Sequence, residues 1–411
     1  MFKTSFNCGI ALSMMGATLA LPAHAAFIED SKANLEFRNF YFNGDNRHDG
    51  ATPSKLEEWG QGFIFKYESG FTKGAVGFGV DAIGLLGVRL DSSPSRSGSG
   101  LFPQDSDGRA PDNYGRFGAA AKVRFAQSTL RVGEMIPSRL PTLVPDNARL
   151  MPQTFRGATL ISQDINGLTA RAGRLTETSL RNASGFSDLS MNSFNSRGGV
   201  DSDKFDFLSL SYQWNKQLST SYDYAKLDLN YKQQHVNLVH VLPLGDKRSF
   251  RSDIRYAHST NDGNTNVDNK AFGAMFTYSI NGHALSGAVQ NMDGNTGFPF
   301  LRGTIGYLVN FSMISPTYAH PEERSWQARY SYDFAAMGIP GLSFMTRYVK
   351  GTHAGVTGND NEWERNTDIG YIVQSGKLKN LDIKLRNGTY RSNTRKVDQT
   401  RFIVSYTVPL I

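Results

Sequence analysis

Trp326-Gln327-Ala328-Arg329-Tyr330-Ser331-Tyr332-Asp333-Phe334 decides the fold. Apolar and aromatic side chains fall on one parity, and Gln327, Arg329, Ser331 and Asp333 fall on the other. A period of two belongs to a strand, whose successive side chains leave opposite faces. The same alternation recurs along the chain. Phe117, Ala119, Ala121, Val123 and Phe125 alternate with Arg116, Gly118, Ala120, Lys122 and Arg124. Leu381, Ile383 and Leu385 alternate with Asp382, Lys384 and Arg386, and Phe402, Val404, Tyr406 and Val408 with Arg401, Ile403, Ser405 and Thr407. A soluble sandwich alternates too, but its strands are short, about five or six residues. Here they run longer, carry full charges at mid-strand on the polar face, and end in tyrosine or tryptophan on the apolar one. A watery lumen, a lipid-facing band and an aromatic girdle account for all three features.

The spacing predicts strands near 34–42, 58–68, 74–82, 115–126, 128–135, 154–162, 168–175, 205–214, 218–226, 230–241, 250–259, 269–279, 283–291, 325–334, 342–350, 363–373, 381–391 and 400–409. The gaps between them alternate short and long, with one short gap near Leu227–Leu229 on the long side. That is the signature of an all-β fold, a transmembrane antiparallel β-barrel of about 18 strands, with turns toward the periplasm and loops outside. The long gaps 91–113, 136–153, 176–203 and 292–324 are rich in Gly, Ser, Asn and Asp, a composition that suggests no buried core of their own.

Bulk composition agrees once split by parity. The 411 residues include 44 basic and 37 acidic ones, 20% charged overall. A mean hydropathy of -0.39 excludes a polytopic helical membrane protein but not a barrel. Residues 1–25 read as a secretory signal peptide, with a basic Met1-Phe2-Lys3, an apolar stretch from Gly9 to Leu21, and Ala23-His24-Ala25 before the cut. Residues 26–411 then form a single barrel domain. Cys8, the one cysteine, leaves with the leader, which excludes disulfides, zinc–thiolate sites and cysteine nucleophiles from the mature chain.

The gap 136–153 stands apart. Pro137, Pro141, Pro145 and Pro152 stiffen it, and Leu140, Leu143, Val144, Leu150 and Met151 are costly to leave in water. It is expected to fold into the barrel as the third extracellular loop and narrow the pore, with Arg139, Asp146 and Arg149 available to line the opening. Lying over the outer rim is the alternative. Arg38, Arg329, Arg347, Lys384, Arg386 and Arg401 all sit on polar strand faces. The first and last strands meet if the barrel closes, so Arg38, Arg401, Arg386 and Lys384 gather on the lumen side of the seam. A positive wall opposite an inward loop attracts and orients anions, and arginine grips carboxylates with two parallel hydrogen bonds. Each arginine taken singly could instead be paired with a neighbouring acid.

No motif for covalent chemistry or cofactor binding stands out. Gly77-Phe78-Gly79 lacks the third glycine of a dinucleotide fingerprint, no G-x-S-x-G occurs, and the eight histidines show no metal-ligand spacing. Asn359-Asp360-Asn361-Glu362 reads as a solvated loop tip rather than a calcium site. No basic run interleaves with aromatics as nucleic-acid binding requires.

Several segments resemble OprD-type porins, the outer-membrane carboxylate channels. They are Phe27-Ile28-Glu29-Asp30-Ser31, Leu35-Glu36-Phe37-Arg38-Asn39-Phe40-Tyr41-Phe42-Asn43, Tyr67-Glu68-Ser69-Gly70-Phe71-Thr72, Arg149-Leu150-Met151-Pro152-Gln153-Thr154 and Glu323-Arg324-Ser325-Trp326-Gln327-Ala328-Arg329-Tyr330. The resemblance implies an eighteen-stranded barrel in the outer membrane and a basic ladder guiding small carboxylate solutes. It implies Arg149 at the constriction and Arg38 on the first strand's wall. Lys384 and Arg386 stand where the family has an Arg-x-Arg pair, so the substitution by lysine weakens bidentate grip there. Within the family, aromatic or cyclic monocarboxylates are the expected solutes. Basic amino acids and small peptides, or a weakly selective general porin, are the alternatives. No enzyme activity, cofactor, metal or nucleic acid is expected, and the chain is expected to be a monomer or weak trimer.

Overall fold

The computed structural model describes residues 27–315, 317–355 and 360–411, so the expected signal peptide lies outside the described residues. The strands are β1 (Lys32–Asn46), β2 (Lys55–Glu68), β3 (Val76–Asp91), β4 (Asn113–Phe125), β5 (Ser128–Met135), β6 (Thr154–Ser162), β7 (Leu168–Ser179), β8 (Phe205–Gln213), β9 (Leu218–Leu227), β10 (Tyr231–Pro243), β11 (Arg248–Asn261), β12 (Asp268–Ile280), β13 (His283–Asp293), β14 (Arg324–Asp333), β15 (Leu342–Ala354), β16 (Asp360–Ile372), β17 (Asp382–Arg391) and β18 (Lys396–Pro409). Each pairs antiparallel with the next. The ring closes between β1 and β18, from Asn34↔Pro409 to Asn46↔Val397. The start of β1 and the end of β18 therefore meet at the rim of the short turns, where Leu410 N–H donates to Ala33 O at 2.7 Å.

Parity sorts the faces as the alternation requires. Phe117, Val132, Leu208, Val236, Leu285, Val289 and Trp326 lie exposed on the outside. Arg38, Lys122, Asp253, Arg347, Glu364 and Arg401 are buried on the inside.

The largest departure from the expected strands is β3, which runs nine residues past Ala82. Ile83 and Leu85 are buried on its inner face and Leu86 is exposed on its outer face. Alternation fades there because the inner wall meets packed loops rather than water. That reverses the expectation that the long gaps bury nothing of their own. Leu101 and Phe102 from 92–112, and Leu150 and Met151 from 136–153, pack with Phe40, Phe42 and Ile64 of the wall. Leu189 and Leu301 join Leu140 and Leu143 against β6–β10. Phe298, Phe300 and Leu308 form a third cluster, and Met313 and Ile314 a fourth against Tyr390 and Val397. Averaged composition hid these residues because they come in ones and twos, each seated in its own recess of the wall.

The shortest ladder of the ring is β4–β5, where β5 pairs only from Ser128 to Gly133. Gly133 has φ 134°, and a Cβ there would fall against Ala119 O and Ala120 Cα. A β-branched residue in that conformation is strained by about 1–3 kcal/mol. Gly133→Val is therefore expected to lower the temperature at which the folded band disappears in heat-modified gel electrophoresis. Gly287→Val, whose Cβ would meet nothing within 4 Å, is expected to leave it unchanged.

Candidate functional site

The loop 136–153 lies inside the barrel. Leu140 and Leu143 exchange backbone hydrogen bonds at 2.8 and 3.0 Å, and their side chains are buried in the wall of β6–β10. The chain then crosses the lumen to β1 and β2. There Gly60 and Gly62 have no side chains to hold it off: a Cβ on Gly62 would stand 2.8 Å from Leu150 O. Arg38 Nη1 donates to Asn147 Oδ1 at 2.8 Å and to Arg149 O at 2.9 Å. Asp146 and Gln153 close the bend, with Gln153 N–H on Asp146 O at 2.8 Å.

A second loop, 294–323, also enters the lumen. Its anchor is Glu364, a fully buried inward carboxylate on β16. It accepts from Met313 N and Ile314 N at 2.8 Å, Ser315 N at 2.7 Å and Ser312 Oγ at 2.6 Å. On the other side of the same turn, Arg401 donates to Met313 O at 2.7 Å. The two loops touch where Ile305 N–H donates to Val144 O at 3.0 Å.

Residues 146–149 divide the lumen. Toward the turns lies a cavity of about 510 Å³, lined by Glu36, Arg38, Arg149, Lys384, Arg386 and Ser405 among others. Toward the loops lies one of about 550 Å³, bordered by Asp146, Arg181, Arg302, Tyr390 and Arg395. Arg149 therefore borders the inner chamber and Asp146 the outer.

Of the nine residues singled out from sequence, the structure brings Arg38, Arg149, Lys384 and Arg386 to the inner chamber. Arg38 pairs with Glu36 at 2.7 Å, Lys384 with Asp382 at 2.5 Å and Arg386 with Asp368 at 3.0 Å. Arg149 pairs with no acid among the described residues. Its Nε donates to Ser99 O at 3.0 Å, and its guanidinium lies over Phe42 at 5.2 Å, the ring that Arg401 also covers at 5.8 Å. Burial and the nearby Arg181 push the Arg149 guanidinium down to about 9, Asp146 opposing, so it remains a cation at neutral pH. Arg347 is held by Asn366 Oδ1 at 2.7 Å, with Phe311 against its face, and Arg329 donates to Ser331. Asp146 is buried and tied up by Arg181. Arg329, Arg347, Arg401 and Arg139 border neither chamber, and of these four Arg139 alone is exposed. It sits on the flank of the Leu140–Leu143 anchor, before the chain turns across the lumen.

The periodicity and loop composition do not reveal Glu364, Arg181 or the inward course of 294–323. Glu364 lies in Glu362-Trp363-Glu364-Arg365-Asn366, where charge alone cannot separate a solvated lumen acid from a loop anchor. The Gly60-x-Gly62 pair on one strand parity is the available sign of a loop pressed on β2.

The family model described as outer membrane porin, OprD family, matches residues 25–410. The chain belongs to the OprD family of outer membrane porins. Porin-like protein GalP of Pseudomonas putida is 34% identical over 405 residues, 97% of each chain. Among solved structures, OpdQ of Pseudomonas aeruginosa is 51% identical with a TM-score of 0.86, covering 94% of this chain and 100% of its own. OpdK of Pseudomonas aeruginosa, solved with vanillate, is 37% identical with a TM-score of 0.86, covering 93% and 100%. The chain is accordingly an integral outer-membrane channel of this family and not an enzyme.

Two substitutions separate the loops. Gly62→Leu is expected to push Leu150 off the wall and raise single-channel conductance severalfold through the loop 136–153. Glu364→Ala leaves several buried donors unpaired, each worth about 1–3 kcal/mol. It is expected to raise conductance and current noise by releasing 294–323, with the barrel's heat resistance retained.

Proposed function

We propose that this porin passes small carboxylates selectively, with aromatic or cyclic monocarboxylic acids as its preferred solutes. The observation that carries the reading is the convergence of Arg149, Arg386, Lys384 and Arg38 on one chamber beneath the inward loop. Arg38 is occupied by Glu36 and by the loop it holds, so its part is to position Arg149. Arg149 has no carboxylate of its own among the described residues and takes the first place as the anion's partner. Arg386 and Lys384 follow toward the periplasm, each already beside one acid. A solute carboxylate exchanges with Asp368 or Asp382 instead of meeting a bare cation. Such exchange keeps binding weak enough for release, as conduction requires. Phe40 and Ile403 give the same chamber an apolar side for a ring. The relative OpdK, solved with vanillate, supports an aromatic acid over a basic amino acid or peptide.

Liposome swelling tests the reading. Benzoate-type acids are expected to enter faster than neutral solutes of equal size, and faster than arginine or dipeptides. Arg149→Ala and Arg386→Ala are each expected to cut carboxylate entry about tenfold while leaving a neutral sugar unchanged. Equal loss for both solutes would mean pore damage and not lost selectivity.

A further inference from the structure

The outer face of the barrel carries charges of its own near the loop end, and most are neutralised in place. Arg174 pairs with Asp206 at 2.7 Å, and Lys226 and Lys232 share Asp262 at 3.1 and 3.0 Å. On β14–β16 the pattern differs. Arg324, Lys350 and Arg365 are exposed there, and among the described residues their side chains make no ion pair. Their parity is opposite to the buried Ser325, Val349 and Glu364, so they leave the barrel outward.

Register places the three together. Lys350 stands directly between Trp326 and Trp363, Arg324 lies opposite Thr352 one step above, and Arg365 lies opposite Tyr348 one step below. Diagonal neighbours of this kind are about 7–8 Å apart, within reach of long side chains. The aromatic rings form a continuous row, with Trp326 to Tyr348 at 5.5 Å and Tyr348 to Trp363 stacked at 5.7 Å. Trp and Tyr mark the membrane interface, and here they mark the extracellular one, because β14 begins where the long loop 294–323 ends. Below the row, Ala328 stands opposite Tyr348, and Tyr330, Thr346 and Thr367 follow side by side toward the midplane.

Arg365 is the telling residue. It lies on the midplane side of Trp363, inside the girdle, where an unpaired lipid-facing arginine costs up to about 2–4 kcal/mol, falling off toward the interface. The Lys226–Asp262–Lys232 cluster shows how this chain neutralises such charges when it supplies the acid itself. Among the described residues no carboxylate lies within ion-pair distance of Arg324, Lys350 or Arg365, and Asp293 of β13 stands only diagonal to Arg324, which leaves the surrounding leaflet as the source of counter-charge for Lys350 and Arg365. Phosphate attached to a lipid fits: its oxygens accept from several cations at once, and the rings seat the headgroup's apolar side.

We propose that Arg324, Lys350 and Arg365, with Trp326, Tyr348 and Trp363, form a binding site for the phosphate-bearing headgroup of an outer-leaflet glycolipid. The site faces away from the pore, so it anchors and orients the barrel without taking part in conduction.

The test uses the full mature chain refolded in detergent and titrated with a bisphosphorylated diglucosamine lipid, read by native mass spectrometry. The triple variant Arg324→Gln, Lys350→Gln, Arg365→Gln is expected to bind at least tenfold more weakly, and Lys350→Gln alone to show a smaller loss. The paired-cluster variant Lys226→Gln, Lys232→Gln is expected to bind like the parent. Unchanged single-channel conductance of each variant confirms a folded barrel. The proposal is overturned if the triple variant binds as tightly as the parent. Equal binding of the dephosphorylated lipid, or of phosphatidylglycerol in place of the glycolipid, overturns it as well.

Discussion

Hydrocarbon offers no partner to a backbone N–H or C=O, so every such group in the spanning region must be paired within the chain. Everything else in this molecule depends on that constraint. It forces the strands into a ring, and the ring exists only because β18 returns to β1 along the register from Asn34↔Pro409 to Asn46↔Val397. Closure then assigns the faces. One parity of every strand meets lipid and the other meets the lumen, which is why a chain with mean hydropathy of -0.39 inhabits a membrane.

A ring of this circumference leaves a wide interior, and the chain fills it with its own loops. The lumen charges that look in sequence like a solute track are divided between two tasks. Arg38, Arg401 and Glu364 grip loop backbone: Arg149 O, Met313 O and the amides of residues 313–315. Burying them is tolerable because each is hydrogen-bonded both to the loop it holds and to a neighbour on the wall, Arg38 to Glu36, Arg401 to Gln399 and Glu364 to Asn366. Arg149, Arg386 and Lys384 face the space those loops leave. Loop anchoring and the position of Arg149 are thereby coupled, since Arg38 fixes the backbone that carries it.

Much of this architecture is legible in the residues alone. Strand number, closure, orientation and the inward course of 136–153 follow from two-residue periodicity, from alternating gap lengths, and from five apolar residues between four prolines. Those signals are local, and the membrane makes them decisive because it penalises a misplaced charge at every turn of the ring. Arg139 and 294–323 mark where local signals end. Arg139 shares the loop's composition but sits on its flank, a matter of where the chain bends across the lumen. In 294–323 the apolar residues are dispersed among Gly, Ser, Asn and Thr, and their recesses belong to strands far away in sequence.

The sequence by itself determined which residues face lipid and which face inward, because parity is a property of each strand alone. It also determined that the inward face would be basic near the seam. Only the tertiary structure decided which inward charges hold loops and which border free space. That division depends on partners such as Glu364 with Met313, 51 residues apart, or Arg401 with Met313, 88 apart. A charge declares its parity locally, but its partner is chosen by the closed barrel.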